Sequence, residues 1–365
     1  LVFAPGTTIL GALREIAAVP YDRILPPRLY KQFASTVKLI FTRDGERDIS
    51  VIKGSSFNVV VTNTEKIRIQ KETIRKKDLG SLVSPKKEDE ARAEVANLRL
   101  QSIASLPHLG IFSDEAPHTY GQALDTELKK VRKTVDYLHA NSPNLVCVVN
   151  TTGTPYFKRQ LLRDVVIWYG LSQGITDNIL KTIGANIHAF DFEGDARPVV
   201  AQIVAEFFEK YRDVSLPDGS LAKLAIYFPQ TDDLRELRPV VEAKLIELGL
   251  STSLVLARHN ESSAAEKSAF DRINDPASPH RVVLLVNIGT EGWNVPSLFA
   301  CALARKLKTS NNFVLQAASR CLRQISGNTV PASIFLSTEN QQTLDKELRE
   351  TYGESLDDLR RKEST

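Results

Sequence analysis

Short apolar runs recur along this chain, and each is closed by proline, glycine or a cluster of polar residues. Leu1-Val2-Phe3-Ala4-Pro5 reads as a strand cut by its proline, and 57–61 reads as a second strand, followed by Thr62-Asn63-Thr64. A third, Leu109-Gly110-Ile111-Phe112-Ser113, runs straight into Asp114-Glu115-Ala116-Pro117-His118. A fourth spans 145–149 and gives way to Asn150-Thr151-Thr152-Gly153-Thr154-Pro155. Between the last two, Leu124, Leu128, Val131, Val135 and Leu138 recur at helical spacing with charges between them, the mark of an amphipathic helix. Nearly continuous apolar strands alternating with helices predict a parallel sheet covered by helices on both faces, because both surfaces of such strands must be kept from water.

The pattern then repeats. Strands are expected at 224–228, 253–257, 282–286 and 333–336, and helices at 198–211, 234–248 and 313–322. The strand at 282–286 leads into the turn Gly289-Thr290-Glu291-Gly292, and the charged stretch from Asp345 to Thr365 reads as a surface helix with a frayed end. At 365 residues the chain is long for one core and comfortable for two. The division expected is a first α/β domain over 1–156, a connecting segment over 157–214, a second α/β domain over 215–340 and a charged tail over 341–365.

Composition narrows the class. Apolar content of 42% and charged content of 25% suit a soluble globular protein. No apolar run approaches a membrane span and no signal pattern opens the chain, so no membrane association is expected. The formal charge is only +3, so nucleic-acid binding would need local clusters of charge. One candidate is the basic stretch 66–77, which reads equally as a solvated insertion or as a contact to a phosphate backbone. Cys147, Cys301 and Cys321 show no metal spacing, and their odd number suits a reduced, cytoplasmic setting. The absence of any methionine suggests an internal fragment, replaced methionines or missing residues. The chain also has no Gly-x-x-x-x-Gly-Lys-Ser/Thr phosphate loop.

Chemistry concentrates at predicted strand and helix ends, where parallel sheets bind ligands. Two adjacent carboxylates at a strand tip suit a nucleotide site: one can hold Mg²⁺, partly through water, while the other orients a water for attack on a phosphate. In Gln316-Ala317-Ala318-Ser319-Arg320-Cys321-Leu322-Arg323, a helix would place Gln316, Arg320 and Arg323 on one face. A guanidinium fork fits phosphate oxygens, although for the helix taken alone surface ion pairing is the favoured reading. Trp293, before Pro296, reads as a packing anchor. Cys301 and Cys321 read as small buried apolar residues.

Taken in order, these motifs resemble superfamily 2 helicases and translocases of the DEAD/DEAH type, and most of all the restriction (Res) subunit of type III restriction enzymes. The resemblance covers nearly the whole chain. It rests on 1–6, Thr62-Asn63-Thr64-Glu65-Lys66, 113–120, Thr152-Gly153-Thr154-Pro155, 289–296 and 316–323. It implies an α/β fold of two tandem RecA-like domains, with parallel sheets covered by helices on both faces. It also implies ATP and Mg²⁺ as ligands and DNA as partner, with duplex favoured and RNA still open. Asp114 would bind Mg²⁺ and Glu115 would activate the attacking water. Gln316, Arg320 and Arg323 would reach the nucleotide. Thr62, Asn63, Thr152 and Thr154 would contact or sense the strand. Gly292 and Asn294 would link the nucleotide site to the strand-binding face.

The sequence departs from the family pattern in three places: Asn294 stands where aspartate is usual, Ser319 where glycine is common, and Pro117 within the acidic box. The phosphate loop is expected upstream of Leu1, so the chain as it stands is expected to bind ATP poorly. The expectation is therefore a DNA-dependent ATPase motor of a type III restriction-like protein, with a methyltransferase or specificity subunit implied by resemblance. The alternative is a non-catalytic clamp on nucleic acid, derived from a helicase core.

Overall fold

Every ladder in the two main sheets is parallel. The computed structural model describes residues 1–4, 13–41, 57–63, 100–114, 128–153, 156–157, 160–161, 166–190, 195–289, 293–304 and 313–360. The chain divides into two units, Leu1–Gln160 and Leu161–Thr365.

In the first unit, β1 (Val2–Ala4), β2 (Val37–Phe41), β3 (Phe57–Asn63), β4 (Leu109–Ser113) and β5 (Leu145–Asn150) lie in the order β2-β3-β1-β4-β5. The central strand β1 is flanked by β3 and β4, so the direction of winding reverses beside it. Val60, Leu109 and Ile111 face one core, closed by Leu100, Ile103 and Leu138, the last from the helix Leu128–Asn141. Val61 turns to the opposite face with Val2, Val59 and Phe41, as the two-residue period of a strand requires.

The run at 145–149 forms a strand as expected, but it is the sheet edge and not a buried strand. Val146 is 63% exposed, with Val148 and Val149 each at 38%. Phe112, the register partner of Val149, is exposed as well. Among the described residues, then, the first sheet is left open at its β5 edge. An unbroken apolar run cannot tell a central strand from an edge, because it fixes the conformation and not the neighbours.

Two short strands, β6 (Tyr156–Phe157) and β7 (Gln160–Leu161), pair separately. In the second unit, β8 (Ile187–Phe190), β9 (Lys223–Phe228), β10 (Val255–Arg258), β11 (Val282–Val286), β12 (Leu298–Leu303) and β13 (Ser333–Ser337) lie in the order β10-β11-β9-β12-β13-β8. Alternate side chains feed two cores. Ala225, Tyr227, Val283, Leu285, Cys301 and Leu303 face one. Leu224, Ile226, Val282, Leu284, Ala300 and Ala302 face the other.

The helices Ala196–Tyr211 and Thr231–Glu247 cover the second of these cores. The helices Phe313–Ala318 and Thr338–Tyr352 and the short helix Leu356–Arg360 pack on the first. Here both faces are covered. The edge strand β8 and the helix Ala196–Tyr211 come from the stretch 157–214 that the sequence assigns to a connector.

The C-terminal stretch corrects another expectation. It is not a frayed surface helix: Leu344, Leu348, Leu356 and Leu359 are all buried in the core. Leu344 and Leu348 share one face of the helix Thr338–Tyr352, and Leu356 and Leu359 one face of the short helix Leu356–Arg360, while the charges that dominate the composition occupy the other faces.

Candidate nucleotide and nucleic-acid site

The parallel register of the first sheet levels its carboxyl ends. Phe3 stands opposite Thr62 and Ser113, and Ser113 opposite Asn150. One step further the backbone therefore presents Ala4, Asn63, Asp114 and Thr151 along one edge. Asp114 leaves the sheet beside β1, where the winding reverses, and such reversals are where open α/β sheets form their ligand crevices. The Thr151 amide donates to the Ser113 carbonyl at 2.9 Å, and its hydroxyl donates to Asp114 Oδ1 at 2.8 Å. The chain leaving β5 thus fixes the carboxylate that ends β4. Thr62 is fully buried one residue before the end of β3. Thr152 follows Thr151 on the edge and is half-buried. The Ser113 hydroxyl is buried with no hydrogen-bond partner among the described residues. Glu115, Thr154 and the basic stretch 66–77 lie outside the described residues, as does Pro117.

In the second unit the corresponding edge follows β11. Gly289 has φ of +84°, a conformation glycine adopts without strain. A side-chain carbon there would lie 3.0 Å from Leu285 Cδ1 and 3.1 Å from Trp293 Cε3. Its carbonyl accepts from the buried Tyr227 hydroxyl at 2.9 Å. Trp293 is a packing anchor as expected: its ring stacks on Phe270 at 5.3 Å between centroids. Gly292 lies outside the described residues.

The segment 313–322 is not one α-helix. The α-helix Phe313–Ala318 tightens into a 3-10 turn, Ser319–Leu322, and Arg323 is already extended, with ψ of 119°. The Ser319 hydroxyl bonds back to the Gln316 carbonyl at 3.3 Å, where the tightening begins. Such back-bonds compete with the regular helical ladder. Gln316, Arg320 and Arg323 therefore do not share one α-helical face.

The two arginines nevertheless converge on adjacent residues of one turn. Arg320 Nη1 donates to the Trp293 carbonyl at 3.3 Å, and Arg323 Nη1 donates to Asn294 Oδ1. Asn294 is held in turn through its carbonyl by Asn274 Nδ2 at 2.7 Å. The amide oxygen of Asn294 thus gives Arg323 a neutral acceptor. Arg320 Nε is buried and has no hydrogen-bond partner among the described residues. A buried donor left in that state is costly unless a ligand takes it up.

The sequence reading missed Lys181. Its side chain is fully buried and donates to the carbonyls of Pro296, Leu298, Cys321 and Arg323. Burial pushes its pKa down to about 8. A lone lysine between Leu180 and Thr182 gives no sign of this in one dimension, because its partners are backbone atoms more than a hundred residues away.

Among the described residues, no group of three or more His, Cys, Asp or Glu side chains could hold a metal ion. Mg²⁺ needs no such cage, since one or two carboxylates with substrate phosphates suffice. Taken unit by unit, the donor chemistry suits phosphate ligands: the Asp114 carboxylate at its sheet edge suits Mg²⁺, and the partly buried guanidinium groups of the second unit suit phosphate oxygens. No helix among the described residues is long and apolar enough to cross a membrane.

No protein-family model matches the chain, and no curated protein matches it. Solved structures do. The helicase Lhr of Mycobacterium smegmatis, bound to single-stranded DNA and AMP-PNP, matches 97% of this chain with a TM-score of 0.53 and 11% identity. A fragment described as the HsdR subunit of a type I restriction enzyme from Vibrio vulnificus YJ016 matches 90% with a TM-score of 0.52 and 14% identity. The type ISP restriction-modification enzyme LlaBIII, bound to DNA, matches 83% with a TM-score of 0.49 and 18% identity. The chain spans 42%, 54% and 22% of these three chains respectively. At such identities the likeness shows the fold alone: an α/β fold with one clear RecA-like domain.

Proposed function

We propose that this chain is the motor core of an ATP-dependent DNA translocase of the restriction-enzyme kind, built on two RecA-like domains, with duplex DNA as its track. The type III restriction motor, working with a methyltransferase or specificity subunit, is the form the sequence motifs favour. The observation that carries the reading is the arginine pair, anchored on Trp293 and Asn294 with a buried Arg320 donor left for a ligand. Fixed guanidinium donors of this kind stabilise charge that develops on a transferring phosphoryl group.

ATP is the substrate of this reading. Asp114, oriented by Thr151, would hold Mg²⁺, which when bound neutralises phosphate charge. Glu115 would take the proton of the attacking water. Arg320 and Arg323 would bind the phosphates, with Gln316 beside them. Thr62, Asn63 and Thr152 lie on or after strands of the same edge as Asp114, so strand contact by them and by Thr154 would register the state of the carboxylate. Gly292 and Asn294 would relay the same information within the second unit.

The test is DNA-stimulated ATPase activity of the full-length protein. Glu115→Gln is expected to abolish turnover and keep ATP binding. Arg323→Ala is expected to lower kcat by roughly 10³-fold or more. DNA binding without any ATP turnover in the wild type would replace the motor with a non-catalytic clamp.

A further inference from the structure

The Lys181 ammonium is fully buried, held by backbone carbonyls and an aromatic ring. Two of the carbonyls, Pro296 at 3.1 Å and Leu298 at 3.0 Å, belong to the segment that follows Trp293 and Asn294. The other two, Cys321 at 3.3 Å and Arg323 at 2.6 Å, belong to the segment that carries both arginines. The Phe299 ring lies under the ammonium at 4.3 Å. One charged atom thus bridges the two segments whose relative position fixes Arg320 and Arg323. The carbonyls at the end of the 3-10 turn are the negative pole of that turn, which favours a cation. Burying a charge among apolar residues is expensive, and a hydrophobic residue could fill the same volume at less cost. An expense of that kind points to a requirement for placement beyond cohesion.

We propose that Lys181 is the positioning residue of the arginine pair, clamping 296–298 against 321–323 so that both guanidinium groups are held ready for phosphate. Its consequence for turnover rests on the ATPase reading, while the clamp itself does not. The titratable side chains facing the ammonium are Cys301 on β12 and Cys321 on the 3-10 turn. Burial pushes the Cys301 thiol well above its ordinary value, so it stays neutral and leaves the carbonyls as the ammonium's ligands.

The clamp is tested without reference to activity in a Trp168→Phe background, where Trp293 is the sole tryptophan. Trp293 is 8% exposed and its carbonyl accepts from Arg320. Lys181→Met keeps the bulk and removes the donors. It is expected to shift Trp293 emission to the red and to raise its quenching by acrylamide, with the far-ultraviolet circular dichroism retained. Lys181→Arg keeps the charge but cannot aim one nitrogen at four carbonyls, and it is expected to produce the same change in smaller measure. If Lys181→Met does not fold, the arginine variant serves alone.

In the full-length protein either variant is expected to lower kcat with little change in KM for ATP. The loss is roughly 100-fold for an ångström-scale displacement of the arginines. A folded variant with wild-type Trp293 emission and quenching overturns the clamp. A changed Trp293 with an unchanged kcat overturns the positioning role. A wild-type protein without ATPase activity overturns the functional reading and leaves the tryptophan measurement to decide the clamp.

Discussion

Single residues in the second unit show how far this fold goes to seat cations on backbone carbonyls. Lys223 is 1% exposed and donates to the His280 carbonyl at 2.9 Å. Beside it, Arg281 donates to the carbonyls of Ala222, Arg212 and Tyr211 and lies over the Phe207 and Phe208 rings. Burial first, and then the charge of Arg281, push the Lys223 pKa down to about 8. The unfolded chain keeps the ordinary lysine value of about 10.4. Between those two values the unfolded chain binds a proton that the folded chain has shed, so this group's contribution to stability rises with pH across the window and is level below it. Denaturant titrations at pH 7 and pH 10.5 check the point. Wild type should gain on Lys223→Met by up to about 3 kcal/mol over that interval, because each tenfold difference in proton affinity between the two states is worth about 1.4 kcal/mol. A gap that stays constant would show that the lysine is not held as described. Neither Lys181 nor Lys223 stands out in the sequence, where each is one lysine among 47 basic residues. Their partners are backbone atoms brought close only by folding.

Secondary elements were legible where periodicity was strong and one neighbour settled the face. The strands β3, β4, β9, β11 and β13 stand where their apolar runs place them, and the helix Thr231–Glu247 contains nearly all of its predicted span. β12 went unread although all six of its residues are buried. Its run, Leu298 to Leu303, includes two alanines and a cysteine and carries none of the β-branched side chains that mark a strand. β5 misled in the opposite sense, since its valines are exposed at an edge. The C-terminal helices teach the same lesson for charge. Composition suggested a solvated tail, yet Leu348 is fully buried beside Leu344 on the helix Thr338–Tyr352. That helix also sends Glu347 to accept from the Leu315 amide at 2.8 Å, at the start of the helix that precedes the arginines. Leu348→Ala should therefore cost about 2–5 kcal/mol, as for a buried leucine in a closed core, measured by urea unfolding. A loss below ~0.5 kcal/mol, the range of surface substitutions, would restore the frayed-tail reading.

For the molecule as a whole, the sequence conveyed the α/β class better than the extent of each body. Class survives because apolar strands and the helices between them are local features. Extent does not, because β8 joins the second sheet only by pairing with β13, far along the chain. The second unit carries everything an independent fold needs. It has six parallel strands with apolar cores on both faces. The short helix Leu171–Thr176 is tied to the C-terminal region through Glu354, which accepts from the Ser172 amide and hydroxyl. Gly170 sits against the same carboxylate, where a side-chain carbon would clash. These ties run from the first residues of the unit to its last. A chain of 161–365 should therefore fold alone with one cooperative transition, whereas a chain of 215–340 loses β8, the helix Ala196–Tyr211 and the C-terminal leucines together. Loss of that helix strips the core of Val200, Val204, Phe207 and Phe208, all within 1% of full burial, and each large core truncation costs about 3–5 kcal/mol. That sum is of the same order as the roughly 5–15 kcal/mol by which a domain is typically stable. Paired expression with calorimetry and near-ultraviolet circular dichroism would decide it: a folded 215–340 chain would show that the second body is smaller than its two cores make it.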